Sequence, residues 1–245
     1  MPNQRPLLNT AYLGWNGTIV NDYDLFEDVY RLLFQPSPGV DRAIYNTMAR
    51  LDILGQEYNA AQVRAKHPKG FPDELVGELF RQFYKNENET MTPHRILDAR
   101  HKMDFLGDFE ITDKMIPFFV KTHSNAIACA DQLAPGLPIY LASDSNFGTH
   151  MQNVSQYPIR VGAQIGSEGA GVPLHIDCDC NQGRDPADFY LLFVDMYIMS
   201  RAKCLSYSGG LGAFPIRMSD FNSCYMDARN TVCDPDNSTA EDTII

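Results

Sequence analysis

Apolar positions along this chain recur in two rhythms that alternate. Between Asp24 and Phe34 they return every three or four residues, the spacing of one helix face, until Gln35-Pro-Ser-Pro38 breaks the run. Val40, Ile44, Met48 and Leu51 form the stripe of a second helix. Leu75, Leu79, Phe80 and Phe83 form that of a third, over Glu74–Tyr84. A long helix is predicted between Asp113 and Leu133, with Thr112 or Asp113 as N-cap and Pro117 confined to the first turn. Asp188–Arg201 is an almost wholly apolar helix. Short apolar runs of strand length lie between these helices: one ending at Arg64, then Pro138–Ala142, Pro173–Ile176 and Lys203–Tyr207.

Strands separated by helices imply an α/β fold with a doubly wound, mainly parallel, Rossmann-like sheet. Residues 1–20 read as an irregular arm, 85–110 as a polar loop with a helical turn, and the Asp-, Asn-, Ser- and Thr-rich stretch after Cys224 as a loose tail. The expected division is 1–54 for an N-terminal arm and helices, 55–222 for the sheet domain and 223–245 for the tail.

Charge narrows the range of ligands. A net charge of −11 over 245 residues opposes nucleic acid, so an anionic ligand needs a local cationic site. No apolar run approaches the roughly 20 residues that span a bilayer, and no signal peptide is visible behind Met1. Four sequons, at Asn16, Asn88, Asn153 and Asn237, nevertheless suit a secretory route. Cys224 and Cys233 are placed to close a small disulfide loop, whereas Cys129 and Cys204 lie in apolar segments like core thiols.

Candidate chemistry collects where strands run out. Arg64 follows an apolar strand and precedes Lys66, His67 and Lys69, a cationic cluster in an acidic chain. Its guanidinium suits phosphate oxygens, and an ordinary surface ion pair is the competing account. Asp144 closes Pro138–Ala142, and Ser208-Gly209-Gly210 follows Lys203–Tyr207, where a backbone without Cβ atoms lets a phosphate approach. Ligands of open parallel sheets bind beyond the carboxyl ends of the strands, so these ends suit a sugar diphosphate. Asp195, enclosed by apolar neighbours, needs donors, either from a buried partner or from a guanine edge. Asp177-Cys-Asp-Cys180 with His175 has the spacing of a DxD metal motif but lacks the second ligand pair of a structural zinc site. The other histidines form no triad, and no GxSxG elbow is present.

Four segments in order carry a resemblance: Leu33-Phe-Gln-Pro-Ser-Pro38, Tyr58-Asn-Ala-Ala-Gln-Val-Arg64, Ile139-Tyr-Leu-Ala-Ser-Asp144 and Asp195-Met-Tyr-Ile-Met-Ser-Arg-Ala202. Over about residues 30–220 the chain resembles the α1,6- and protein O-fucosyltransferase superfamily, in the GDP-fucose-binding half of a GT-B-type enzyme. The resemblance implies inverting transfer of fucose from GDP-fucose to a glycan or glycoprotein hydroxyl, without a metal or other cofactor, in the Golgi or ER lumen. It puts Arg64 on the donor diphosphate, Gln62 where the family has a histidine near guanine, Asp144 at the second strand end and Asp195 on guanine. Ser208, Gly209 and Gly210 fall where the family meets the phosphates. The acid-rich stretch of the α1,6-type enzymes is absent after Arg64, which leaves Asp73 and Glu74 as candidate bases or simply as acids opening a helix. Residues 1–54 are short for an acceptor domain, so a noncatalytic GDP-sugar-binding module, or a fragment of a larger transferase, is the alternative. A DxD metal-dependent transferase is a third class.

Overall fold

A computed structural model describes residues 12–13, 19–20, 35–65, 71–84, 92, 96, 111–163, 185, 189–209, 213–218 and 224–233. Seven strands are present among them. β1 (Tyr12–Leu13) and β2 (Ile19–Val20) form a small antiparallel pair within the stretch expected to be irregular. β3 (Asn59–Val63), β4 (Ile139–Ser143), β5 (Ile159–Val161), β6 (Leu205–Tyr207) and β7 (Tyr225–Asp227) make one five-stranded sheet, parallel throughout, in the order β5-β4-β3-β6-β7. The helices are α1 (Pro38–Arg50), α2 (Asp73–Tyr84), α3 (Ile116–Leu133), α4 (Phe147–Val154), α5 (Tyr190–Ser200) and α6 (Ala213–Met218).

The period-2 alternation of the strands sorts their side chains into two cores. Ala61 and Val63 of β3, Ile139 and Leu141 of β4, and Ile159 and Val161 of β5 face one cluster, completed by α2, α3 and α4 through Leu79, Phe119, Ile127 and Met151. Ala60, Tyr140, Ala142 and Leu205 face the other, where α1 and α5 supply Val40, Ile44, Met48, Val194 and Ile198. In-register pairs agree with this sorting: Ala61 lies beside Leu141 and Ala60 beside Tyr140. The sheet is therefore covered on both sides, as a run of central strands without polar alternation requires.

Strand order explains which helix lies where. From β3 the chain steps outward to β4 and β5 with α2, α3 and α4 on one face, then returns past β3 to β6 and β7 with α5 and α6 on the other. Crossovers of one hand place helices on opposite faces when the direction of travel reverses. The reversal falls between β3 and β6. This is the doubly wound arrangement expected from the sequence.

The ends of the elements depart from expectation in instructive ways. α1 starts at Pro38, because Ser37 caps it by accepting from the Val40 amide and a proline at the first helical position loses no hydrogen bond. α3 starts at Ile116 instead of Asp113; Thr112 and Asp113 do not cap it, and residues 113–115 form a preceding turn. α4 and β5 lie outside the elements that the sequence predicts. α1 shares a core with the sheet although it precedes residue 55. Past residue 222, Tyr225–Asp227 is no tail: it is the fifth strand. The expected helix over Asp24–Phe34, the strand over Pro173–Ile176 and most of 85–110 lie outside the described residues.

The cysteine expectation also fails. Cys224 pairs with Cys204, and Cys233 with Cys129. Leu205 is in register with Tyr225, so the residues just before them, Cys204 and Cys224, arrive side by side. After β7 the chain turns back along α3. There Asn125 Nδ2 donates to the carbonyls of Ala228 and Thr231, both at 2.8 Å, and Asn125 Oδ1 accepts from the Cys233 amide. That brings Cys233 to Cys129, one helical turn along α3.

Candidate functional site at the switch point of the sheet

Three strand ends singled out by the sequence meet in the fold. β3 lies between β4 and β6, so Arg64, Asp144 and Ser208 emerge at the carboxyl edge of three adjacent strands. α2 follows β3 on one face of the sheet and α6 follows β6 on the other, so the strand order reverses here, the position at which open parallel sheets take ligands.

Hydrogen bonds stitch these ends together. The Arg64 amide donates to Ser208 Oγ at 2.6 Å. The Ser208 amide is shared between the Gln62 carbonyl at 3.0 Å and Gln62 Oε1 at 3.2 Å. On the other side, the Ala65 amide donates to Asp144 Oδ1 at 2.8 Å, and the Asp144 amide to the Val63 carbonyl at 3.2 Å. Gln62 and Ser208 are buried, whereas Arg64 and Asp144 are half-buried at the rim. Gln62 thus shapes the turn after β6 with its side-chain oxygen.

Gly209 follows with φ at +85°, a left-handed conformation that glycine adopts without steric cost. A Cβ there would run into the guanidinium of Arg229, which lies against the turn. Nothing local in the sequence marks Arg229, which lies in the polar stretch after Cys224 that reads as a tail. It is held by Asp227: Nε donates to Oδ1 at 3.1 Å and Nη2 to Oδ2 at 2.8 Å. The Arg229 bonds hold the Asp227 carboxyl below its ordinary range, and the carboxylate in turn raises Arg229.

Behind Asp144 lies a buried string of hydroxyls ending at a histidine. His123 Nδ1 is 2.7 Å from the Phe119 carbonyl, which can only accept, so Nδ1 carries the proton. Nε2 then accepts from Ser143 Oγ at 3.0 Å, and Ser145 Oγ donates to Ser143 Oγ at 3.2 Å. Burial lowers the His123 pKa to about 4, with the His150 charge adding to the effect against the Phe119 bond. The imidazole stays neutral near pH 7. A serine hydroxyl on an imidazole resembles part of a nucleophilic triad, but His123 is 0% and Ser143 4% exposed, so the pair anchors the end of β4 to α3.

Asp195 is elsewhere. It is 1% exposed in the second core, where Oδ1 accepts from the Tyr140 hydroxyl and, at 2.5 Å, from the Ala163 amide. Burial, followed by the Asp195 charge, pushes the Tyr140 phenol well above its usual range, so it remains a donor. Gly162 completes the fit, since a Cβ would come 3.0 Å from Asp195 Oδ1 and 2.9 Å from the Leu141 carbonyl. Of the two accounts open to Asp195, the buried partner is the one this geometry fills. No described hydrogen bond joins it to Arg64 or Ser208.

Asp73 and Glu74 are exposed in the first turn of α2, where carboxylates favour the positive end of the helix dipole. Gly210, the Lys66–Lys69 cluster and the Asp177–Cys180 motif lie outside the described residues. Among the described residues no group of three or more His, Cys, Asp or Glu could hold a metal ion, and no helix is long and apolar enough to cross a membrane. No protein-family model matches the chain, and no curated protein matches it.

Proposed function

We propose that this chain binds a GDP-sugar, GDP-fucose by its sequence resemblance, and transfers the sugar with inversion to a hydroxyl of a glycan or glycoprotein. One observation carries the reading. Arg64 and Ser208 are joined across the reversal of a parallel sheet, next to a glycine turn, where a diphosphate meets a cation and open backbone together.

In this reading the Arg64 guanidinium grips the diphosphate, the backbone around Ser208, Gly209 and Gly210 approaches it closely, and Gln62 and Asp144 hold the two turns in register. Glu74 or Asp73 takes the proton of the acceptor hydroxyl. The acceptor oxygen then bonds to the anomeric carbon as the bond from that carbon to the diphosphate oxygen breaks. GDP leaves with its charge stabilised by Arg64. No metal is required. The disulfides Cys129–Cys233 and Cys204–Cys224 and an exposed sequon at Asn153 support a secretory route, since disulfides persist in oxidising compartments.

Calorimetric titration with GDP, with UDP and ADP as controls and no added metal, tests the donor site. GDP is expected to bind selectively, and Arg64→Ala to weaken it about tenfold or more through lost charge-assisted bonds. Unchanged affinity in a folded Arg64→Ala protein would refute the assignment. The second reading is a noncatalytic GDP-sugar-binding module, favoured by the helix-opening position of both candidate bases. Asp73→Asn and Glu74→Gln separate the two: loss of fucose transfer with GDP binding intact supports the enzyme, and no transfer by the parent chain supports the module.

A further inference from the structure

The geometry points to Arg229 as a second anion-binding residue of the same crevice, delivered by the C-terminal strap and directed at the phosphates of the bound nucleotide. The inference rests on the GDP-sugar reading for its ligand but on separate residues for its site.

Three observations converge. Arg229 touches the Gly209 turn, and that turn carries Ser208, whose hydroxyl takes the Arg64 amide. The two arginines therefore flank one short piece of backbone at the switch point. Gly209 is shaped to admit the guanidinium: its φ is +85°, and any Cβ would strike Arg229. Third, the side chain is fixed in place. Asp227 takes Nε and Nη2, and also accepts from the Arg229 amide at 3.0 Å and from Asn230 Nδ2 at 3.0 Å.

This clamp leaves Nη1, the guanidinium nitrogen nearest the Gly209 turn, without a hydrogen bond among the described residues. The side chain remains 56% exposed. Asp227 offsets much of the long-range charge, so the contribution of Arg229 is directional: N–H donors held ready for a phosphate oxygen, with little rotamer freedom left to lose on binding. The strap itself is fixed on both sides of Arg229, by Cys204–Cys224 before β7 and Cys129–Cys233 after it. A loose tail could not deliver the residue.

The test is calorimetry on the full, oxidised chain with GDP, guanosine and inorganic pyrophosphate. Arg229→Gln is expected to weaken GDP about tenfold, the usual loss for a charge-assisted bond, and to leave guanosine unaffected. Arg229→Lys keeps the cation but loses the fork, and should fall between wild type and Arg229→Gln. It also serves as the second variant should Arg229→Gln fold poorly. If wild type binds GDP and neither folded variant changes its affinity, Arg229 has no part in the site, and the GDP reading stands without it. If wild type binds pyrophosphate without nucleotide selectivity, and Arg229→Gln loses it, the anion site stands and the GDP reading falls. Binding of neither ligand by wild type overturns both.

Discussion

Asp195 shows how a single buried charge is made tolerable. A carboxylate in an apolar core is costly unless donors surround it, and here a tyrosine hydroxyl and a backbone amide converge on one oxygen. Gly162 is needed beside it for space. Asp195→Asn weakens both bonds and is expected to lower unfolding free energy by about 1.5–3 kcal/mol, the range for hydrogen bonds to charged groups. Urea titration reads the loss, and the preference for GDP over ADP should survive. An eroded preference with stability intact would instead put Asp195 on the base. The sequence marked this aspartate as needing donors. It did not name Tyr140, because 55 residues separate the two and only the packing of α5 on β4 joins them.

At the scale of elements, the join between α3 and β4 has a predictable pH response. His123 is neutral in the fold, with its pKa lowered from 6.5 to about 4, while an unfolded chain takes a proton near 6.5. Both states are neutral above that value. As pH falls from about 6.5 toward 4, the unfolded state alone is protonated, so stability drops by about 3 kcal/mol across this window. Denaturant titrations at pH 7 and pH 4.5 should show this loss, and His123→Gln should show less of it. An equal loss in the variant would assign the acid sensitivity to other groups. The same join sets the end of β4, and with it Asp144, whose oxygen holds the chain just past Arg64.

Over the whole molecule, the segment 224–233 is a structural part of the sheet domain. It supplies the edge strand β7, the Asp227–Arg229 pair and one half of both disulfides among the described residues. The bond between Cys129 and Cys233 spans 104 residues and that between Cys204 and Cys224 spans 20. Loop-closure entropy then gives the longer link the larger effect, about 4.7 kcal/mol against about 3.3. Chains with Ala in place of one pair or the other should both unfold at lower urea than wild type, with the Cys129/Cys233 variant less stable. The reverse order would mean that native contacts around β7, not chain entropy, set the ranking.

Local rhythm by itself determined much of this protein. Periods of 3.6 and 2 do not depend on distant residues, so α1, α2 and α5 and the strands before Arg64, Asp144 and Ser208 were legible. The doubly wound sheet followed from their alternation, and so did the placing of Gln62, Arg64, Asp144, Ser208 and Gly209 at strand ends. Tertiary structure decided what depends on neighbours. Tyr225–Asp227 is three residues long, too short for any period to show; it is a strand because β6 offers it a free edge. Cysteine pairing follows strand register and the return along α3, so proximity in sequence pointed to the wrong partners. Arg229 lies against the Gly209 turn because β7 pairs beside β6, and Asp195 remains in the core because α5 packs on β4.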